Sequence, residues 1–376
     1  MSITGFHNGC ILTGRNRLDG AALHINGQLI SEVVPGGARS TDIDLEGGYI
    51  VPGFIDTQVN GGGGVLFNER IDVAGIRRIG EAHARFGTTA FLPTLISAPL
   101  EDVALALDVV DQAIEAGVPG VVGIHVEGPF LSDARRGIHD SAHFRPLDDE
   151  AVALLTQPRR GIVMVTLAPE SNDPSAIDAL VRAGVIVCIG HSDATYAQTR
   201  AVIDAGARGV THLFNAMSPL HHREPGVVGA VLEDETLYCG LIVDGAHVHP
   251  AAIRVALAAR PRDRFMLVTD AMPTVGSDDK SFVLNGENIR VQDGVCVNEE
   301  GTLAGSDLDM AQAVRNTHQL GVPLEDAVAM ATVNPAAFLG LSDRIGVLEP
   351  NHRADFVWLD RDLRVRGTWI GGQRIF

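Results

Sequence analysis

Cysteine is scarce in this chain, long apolar runs are missing, and positive charge is in deficit. The four cysteines, Cys10, Cys188, Cys239 and Cys296, lie far apart among 376 residues, and none forms a CxxC pair. That spacing argues against a disulfide framework or a cysteine zinc site; the thiols read as small buried apolar groups. No run approaches the ~20 apolar residues of a membrane helix. The first ten residues lack a basic start followed by an apolar core, so no signal peptide is expected and a cytoplasmic protein is. Lys and Arg number 29 against 47 Asp and Glu, a formal net charge of −18. Nucleic acid and anionic membranes are therefore poor partners. A small anionic substrate would need a local positive pocket against that field. No GxGxxG stands at a strand–helix turn, and the glycine run at 61–64 lacks that spacing, which removes support for a doubly wound dinucleotide-binding sheet. Internal repeats, low-complexity tracts and long linkers are also missing.

What remains is an alternation of short apolar runs and helical periods from residue 53 to about 340. Eight strands are predicted near 53–59, 88–92, 121–127, 162–167, 185–190, 209–213, 237–243 and 265–270. Helix-like stretches at 73–86, 100–116, 148–155, 174–183, 196–205 and 250–258 lie between most of them. Nearly continuous apolar strands are expected where both sheet faces are covered. Eight such units predict an α/β fold, a (β/α)8 TIM barrel. The segment 282–304 alternates and contains Asn285-Gly286 and Asp293-Gly294, which predicts a β-hairpin insertion; helices follow at 309–320 and 324–332. Both chain ends read as short strands and are expected to join in one small β-sandwich domain. The expected boundaries are 1–52 and 344–376 for the sandwich and 53–343 for the barrel.

Four predicted strands end in chemically capable side chains. They are His125-Val126-Glu127-Gly128-Pro129-Phe130, Gly190-His191-Ser192-Asp193, Thr211-His212-Leu213-Phe214-Asn215-Ala216-Met217 and Leu267-Val268-Thr269-Asp270-Ala271. Taken singly, each has a plain structural reading: Glu127 in a salt bridge, a lone histidine in the core, Asp270 as a helix cap. Together they supply three metal ligands and a carboxylate that moves protons at the C-terminal face of a barrel. His247 follows the seventh strand and reads as a hydrogen-bond donor to a substrate carbonyl, whereas His249 reads as structural. Loop residues 215–226 and the group Arg135, Arg136, His139 and His143 hold the candidates for a positive pocket, and spacing does not choose among them.

Nearly end to end, these segments resemble the N-acetylglucosamine-6-phosphate deacetylase family of the amidohydrolase superfamily. The likeness extends through Val51-Pro52-Gly53-Phe54-Ile55-Asp56, Asp244-Gly245-Ala246-His247-Val248, Thr269-Asp270-Ala271-Met272, Leu303-Ala304-Gly305-Ser306 and Ala354-Asp355-Phe356-Val357. The resemblance implies one divalent metal ion per subunit, zinc first and iron or another first-row ion as alternatives, held by Glu127, His191 and His212. It implies attack by a metal-bound hydroxide, with Asp270 as general base and then acid, and His247 polarising the acetamide carbonyl. Substrate contacts would come from Ile138, His139, Asn215, Ala216, Asp244, His247, Leu303, Ala304 and Gly305. Arg223 would reach the phosphate, contributed across the interface of a homodimer. Many members of the superfamily carry HxH after the first strand. Here those positions hold Gln58 and Asn60, poor ligands that weaken the case for a second metal. The rival expectations are a cyclic amidase or deaminase, a deacetylase of an unphosphorylated amino sugar, and a metal-free scaffold. The scaffold should have lost a ligand or the base, and all four residues are present.

Overall fold

The computed structural model describes residues 4–14 and 16–376; the first three residues of the expected N-terminal segment lie outside them. Eight parallel strands run in chain order: Phe54–Val59, Thr88–Ile96, Gly123–Glu127, Ile162–Leu167, Ile186–Ile189, Gly209–Val210, Tyr238–Leu241 and Phe265–Leu267. Their residues are almost all buried, as expected for strands covered on both faces. The first and eighth strands meet through a parallel bridge, Val59 to Ala271, and through the Asp270 N–H donating to the Gln58 carbonyl at 3.0 Å. The barrel is thus nearly closed, and the closure brings Gln58 and Asp270 side by side.

Helices cover the outside, and several start on the side chains that the sequence offers as caps. Asp72 accepts from the Gly75 N–H to open Val73–Ala84, and Thr195 forms a capping box with Gln198 to open Tyr196–Asp204. His249 accepts from the Ala251 N–H at the start of Pro250–Ala259, which gives it a capping role.

Several elements differ from the sequence reading; the second barrel strand runs on to Ile96, the eighth stops at Leu267, and a helix at Val333–Leu339 was not expected. The sixth strand stops at Val210 instead of 213, because His212 takes a left-handed backbone (φ 34°) and turns the chain out of the sheet. The 215–226 loop runs into an unpredicted helix, Gly226–Glu233, whose Gly-Val-Val-Gly-Ala-Val-Leu-Glu sequence has no polar face to give a period. The expected hairpin is a four-stranded antiparallel sheet, Ser281–Leu284, Glu287–Gln292, Val295–Val297 and Leu303–Ser306. Its first two turns hold paired positive φ values, 51° and 81° at Asn285-Gly286 and 51° and 86° at Asp293-Gly294.

The chain ends build two further sheets. One is made of Thr4–His7, Ala21–Asn26, Leu29–Pro35 and Ile43–Asp44. The other joins Cys10–Leu12, Arg17–Asp19 and Tyr49–Pro52 to Phe356–Leu359, Val365–Ile370 and Gln373–Arg374, with Val51 opposite Val357. Phe6, Phe356 and Trp369 fill their shared core, with ring centroids 4.8–5.1 Å apart. Among the described residues no helix is long and apolar enough to cross a membrane.

Candidate metal centre and catalytic pocket

Every polar group of the pocket floor sits at or just beyond the C-terminal end of a barrel strand. Glu127 is the last residue of its strand, while His191 and His212 each come two residues after theirs. His191, His212 and Asp270 have φ of 48°, 34° and 54°. A left-handed non-glycine residue costs roughly 1–2 kcal/mol, so the surrounding bonds must hold all three in place. The turn at each position throws the side chain inward over the barrel mouth.

The donors converge. His212 Nε2 lies 3.0 Å from both Glu127 Oε1 and His191 Nε2, and His191 Nε2 lies 3.3 Å from Glu127 Oε1. Tetrahedral zinc with bonds of ~2.0–2.1 Å places its ligands roughly 3.3 Å apart, so this spacing fits one such ion. His191 Nδ1 donates to the Arg135 carbonyl at 2.9 Å, which leaves its Nε2 lone pair facing the centre. Burial alone would raise the Glu127 carboxyl, but the His191 and His212 rings set against it outweigh that and hold the group well below its ordinary value.

A second trio, Glu127, His139 and His191, is also close enough to hold an ion. The proton on His139 decides against it. His139 Nδ1 accepts the Ser97 N–H at 3.3 Å and lies 2.8 Å from Ser97 Oγ. A neutral ring with Nδ1 as acceptor carries its proton on Nε2, and burial keeps the ring neutral by pushing its pKa well down. His139 therefore presents a donor to the pocket, not a ligand.

Gln58 and Asn60, the positions weighed as a possible histidine pair, stand beside the two carboxylates. The Gln58 amide donates to both Glu127 oxygens at 3.1 Å and to Asp270 Oδ1 at 3.0 Å, and Asn60 donates to the same Asp270 oxygen at 2.7 Å. Both amides thus turn their N–H groups toward the two carboxylates. Burial, followed by the charge of Glu127, raises the Asp270 pKa.

The cavity above these residues measures about 270 Å³. Glu127, His191, His212, Asp270, His247, Ile138, His139, Asn215, Ala216, Leu303 and Gly305 all line it. Three residues of the expected set do not. Ala304 is fully buried behind the wall, packed into the core of the four-stranded insert. Asp244 stands behind His247, accepting from its Nδ1 at 2.6 Å and from its backbone N–H at 2.9 Å. Arg223 is exposed on its loop, away from the cavity of the single chain. The sequence reading missed Ile96, Gly137, Met272 and Thr302, which complete the wall. Met272 lies two residues past Asp270, Gly137 adjoins Ile138 and Thr302 adjoins Leu303; that proximity was the signal available, and Ile96 had none.

The family model for the amidohydrolase family matches residues 49–375. The chain belongs to the amidohydrolase family. This family is metal-dependent, and the convergent Glu and His donors agree with that. The chain is similar to an N-acetylgalactosamine-6-phosphate deacetylase of Shewanella sp. (strain ANA-3), 45% identical over 334 residues, or 88% of this chain and 84% of that one. It is 35% identical over 373 residues to an N-acetylglucosamine-6-phosphate deacetylase of Haemophilus influenzae, covering 97% of both chains. Among solved structures, the N-acetylglucosamine-6-phosphate deacetylase from Pasteurella multocida superposes with a TM-score of 0.95 at 36% identity, covering 99% of each chain.

Proposed function

We propose that this amidohydrolase removes the acetyl group of N-acetylglucosamine 6-phosphate, giving glucosamine 6-phosphate and acetate. The observation that carries the proposal is the convergence of Glu127, His191 and His212 within 3.0–3.3 Å, with Asp270 tied to Glu127 through Gln58. The names of the relatives supply the substrate class. A single divalent ion, zinc, held by those three donors would lower the pKa of a water toward ~7 and polarise the acyl oxygen. The amide donors of Gln58 and Asn60 favour one ion over two.

Asp270 takes a proton from the attacking water as its oxygen bonds to the acyl carbon. It then gives that proton to the sugar nitrogen as the C–N bond breaks, so one hydrogen of the water passes through Asp270 to the amine; the oxygen and the other hydrogen leave in acetic acid, which ionises to acetate, and Asp270 is again a carboxylate. Asp244 fixes the proton on His247 Nδ1 and stabilises positive charge on the ring, which suits Nε2 to donate to the acyl oxygen. Ile138, His139, Asn215, Ala216, Leu303 and Gly305 would hold the sugar, with Ala304 backing the wall from behind. Arg223 would clamp the phosphate from across a homodimer, which accounts for its place outside the single-chain cavity. The proposed location is the cytoplasm, and the proposed boundaries remain 1–52 with 344–376 and 53–343.

One observation favours a second reading of the sugar. The Shewanella relative, at 45% identity, is named for the galactosamine epimer, against 35% for the Haemophilus glucosamine enzyme. Acetate release from both epimers, measured with chelator-stripped and zinc-reloaded protein, tests both readings. Zinc-dependent turnover of N-acetylglucosamine 6-phosphate, at a kcat/KM at or above that of its epimer, is expected. The reverse preference moves the assignment to the galactosamine substrate, and no turnover of either by metal-loaded protein overturns it.

A further inference from the structure

The fourth barrel strand, Ile162–Leu167, ends without placing a metal donor or proton carrier in the pocket. Its one inward polar group near the floor, Thr166, is bonded to His125 and Thr211. The short 3-10 helix Pro169–Ser171 that follows carries Glu170. Both oxygens of that carboxylate are used on a single turn: Oε2 accepts from Ser192 Oγ at 2.7 Å and Oε1 from the Asp193 N–H at 2.6 Å. Among the described residues Glu170 has no cationic partner. A surface glutamate usually serves an arginine or water, whereas this one grips the two residues directly after His191.

The grip continues back to the metal centre. Asp193, held at its backbone, pairs with Arg135 Nε at 2.8 Å, and the Arg135 carbonyl accepts from His191 Nδ1 at 2.9 Å. The Ser132 N–H donates to the His191 carbonyl at 3.0 Å, and Ser192 exchanges backbone bonds with Ala216 and Ser218 at 3.0 and 2.9 Å. Loops from the third, fourth, fifth and sixth strands are thereby locked around one histidine with a left-handed backbone. His212 Nδ1 has no such partner among the described residues, so aiming of the imidazole pair depends on His191.

We infer that Glu170 is a positioning residue for the metal centre, clamping the Ser192-Asp193 turn so that His191 presents Nε2 to Glu127 and His212. The inference rests on the metal-site reading above. Outer contacts of this kind change metal affinity by about 10–100-fold when removed.

The test measures zinc affinity by competition against a chromophoric chelator, with circular dichroism as a check on folding. Glu170→Ala is expected to bind zinc about 10–100-fold more weakly. At saturating zinc its kcat should return to near the wild-type value and its KM should stay put, a rescue that general loosening of the loop would not give. Ser192→Ala, which keeps the Glu170 bond to the Asp193 N–H while losing the 2.7 Å bond to Glu170 and the 3.0 Å bond from the Ala194 N–H, should shift affinity in the same direction by less. His191→Ala separates the two readings. If it binds zinc as tightly as wild type, the metal site itself is misassigned. If it is impaired while Glu170→Ala is folded and binds zinc normally, the clamp is overturned and the site stands. Should Glu170→Ala not fold, wild-type affinity in Ser192→Ala overturns the clamp.

Discussion

Asp270, half-buried just past the eighth strand, and Asp56, fully buried on the first, show how two nearby carboxylates take different work. Asp270 faces the cavity, accepts from two amides and lies beside Glu127. Asp270→Asn should keep zinc bound and lower kcat by about 10²–10⁴, as expected when a proton carrier is removed; unchanged turnover in a steady-state assay would sink the base assignment. Asp56 points away from the pocket and ties the barrel seam, accepting from the Gln58 and Thr269 N–H groups at 3.2 and 3.3 Å and from Thr269 Oγ1 at 2.5 Å. Burial outweighs those bonds and raises its pKa from 3.8 to about 7. The sign follows: the protonated form suits the fold, so this stabilising effect is complete below pH 3.8 and lost as pH rises through about 7. Asp56→Asn should flatten the stability change between those limits, by no more than about 4 kcal/mol, in urea titrations run on both proteins. Asp56 was legible in the sequence only as part of a fold motif; its pairing with Thr269 is 213 residues distant in the chain and needed the closed barrel.

At the level of elements, the barrel strands were legible and the loops were not. Continuous apolar runs located all eight strands, because a strand covered on both faces has no polar alternation to obscure it. The insert was seen as one hairpin because its later strands are short and broken by a register shift between Val295 and Val297. Its position matters more than its strand count. Leu284, Ile289 and Cys296 pack with Ile96 and Met272, so the insert's core backs the cavity wall. The loop carrying Arg223 is the other element that the single chain leaves open. Its exposed Leu220, 57% accessible, lies three residues before that arginine, and the proposed dimer would cover it. Arg223→Ala should raise KM for the phosphorylated sugar by about 10–100-fold, the worth of a charge-assisted contact, and leave the unphosphorylated sugar unaffected. Equal effects on both sugars, in parallel kinetic assays, would remove the phosphate role.

For the whole molecule, the −18 charge and the site pull in different directions. A dication is welcome in such a field and an anionic substrate is not, which is why the proposal needs a cation such as Arg223 at the phosphate. Stripping the metal leaves two buried imidazole nitrogens 3.0 Å apart with one carboxylate between them. Chelator-treated protein should therefore melt lower than protein with zinc at 100-fold over its Kd, by about 3 °C for a chain of this size. Calorimetry with and without zinc checks this, and identical melting curves would argue that no ion is held.

By itself the sequence determined the barrel, the strand-borne Glu127, His191, His212 and Asp270, and the absence of a histidine pair at 58 and 60, since these follow from apolar periodicity and residue type. Only the tertiary structure decided which nitrogen each histidine presents. His139 became a donor because the Ser97 backbone occupies its Nδ1, and His191 an acceptor because the Arg135 carbonyl occupies its own. It also decided that Ala304 lies behind the wall and Asp244 behind His247. Proton placement depends on partners supplied by other strands, and no spacing along one chain encodes the direction in which a left-handed residue will point.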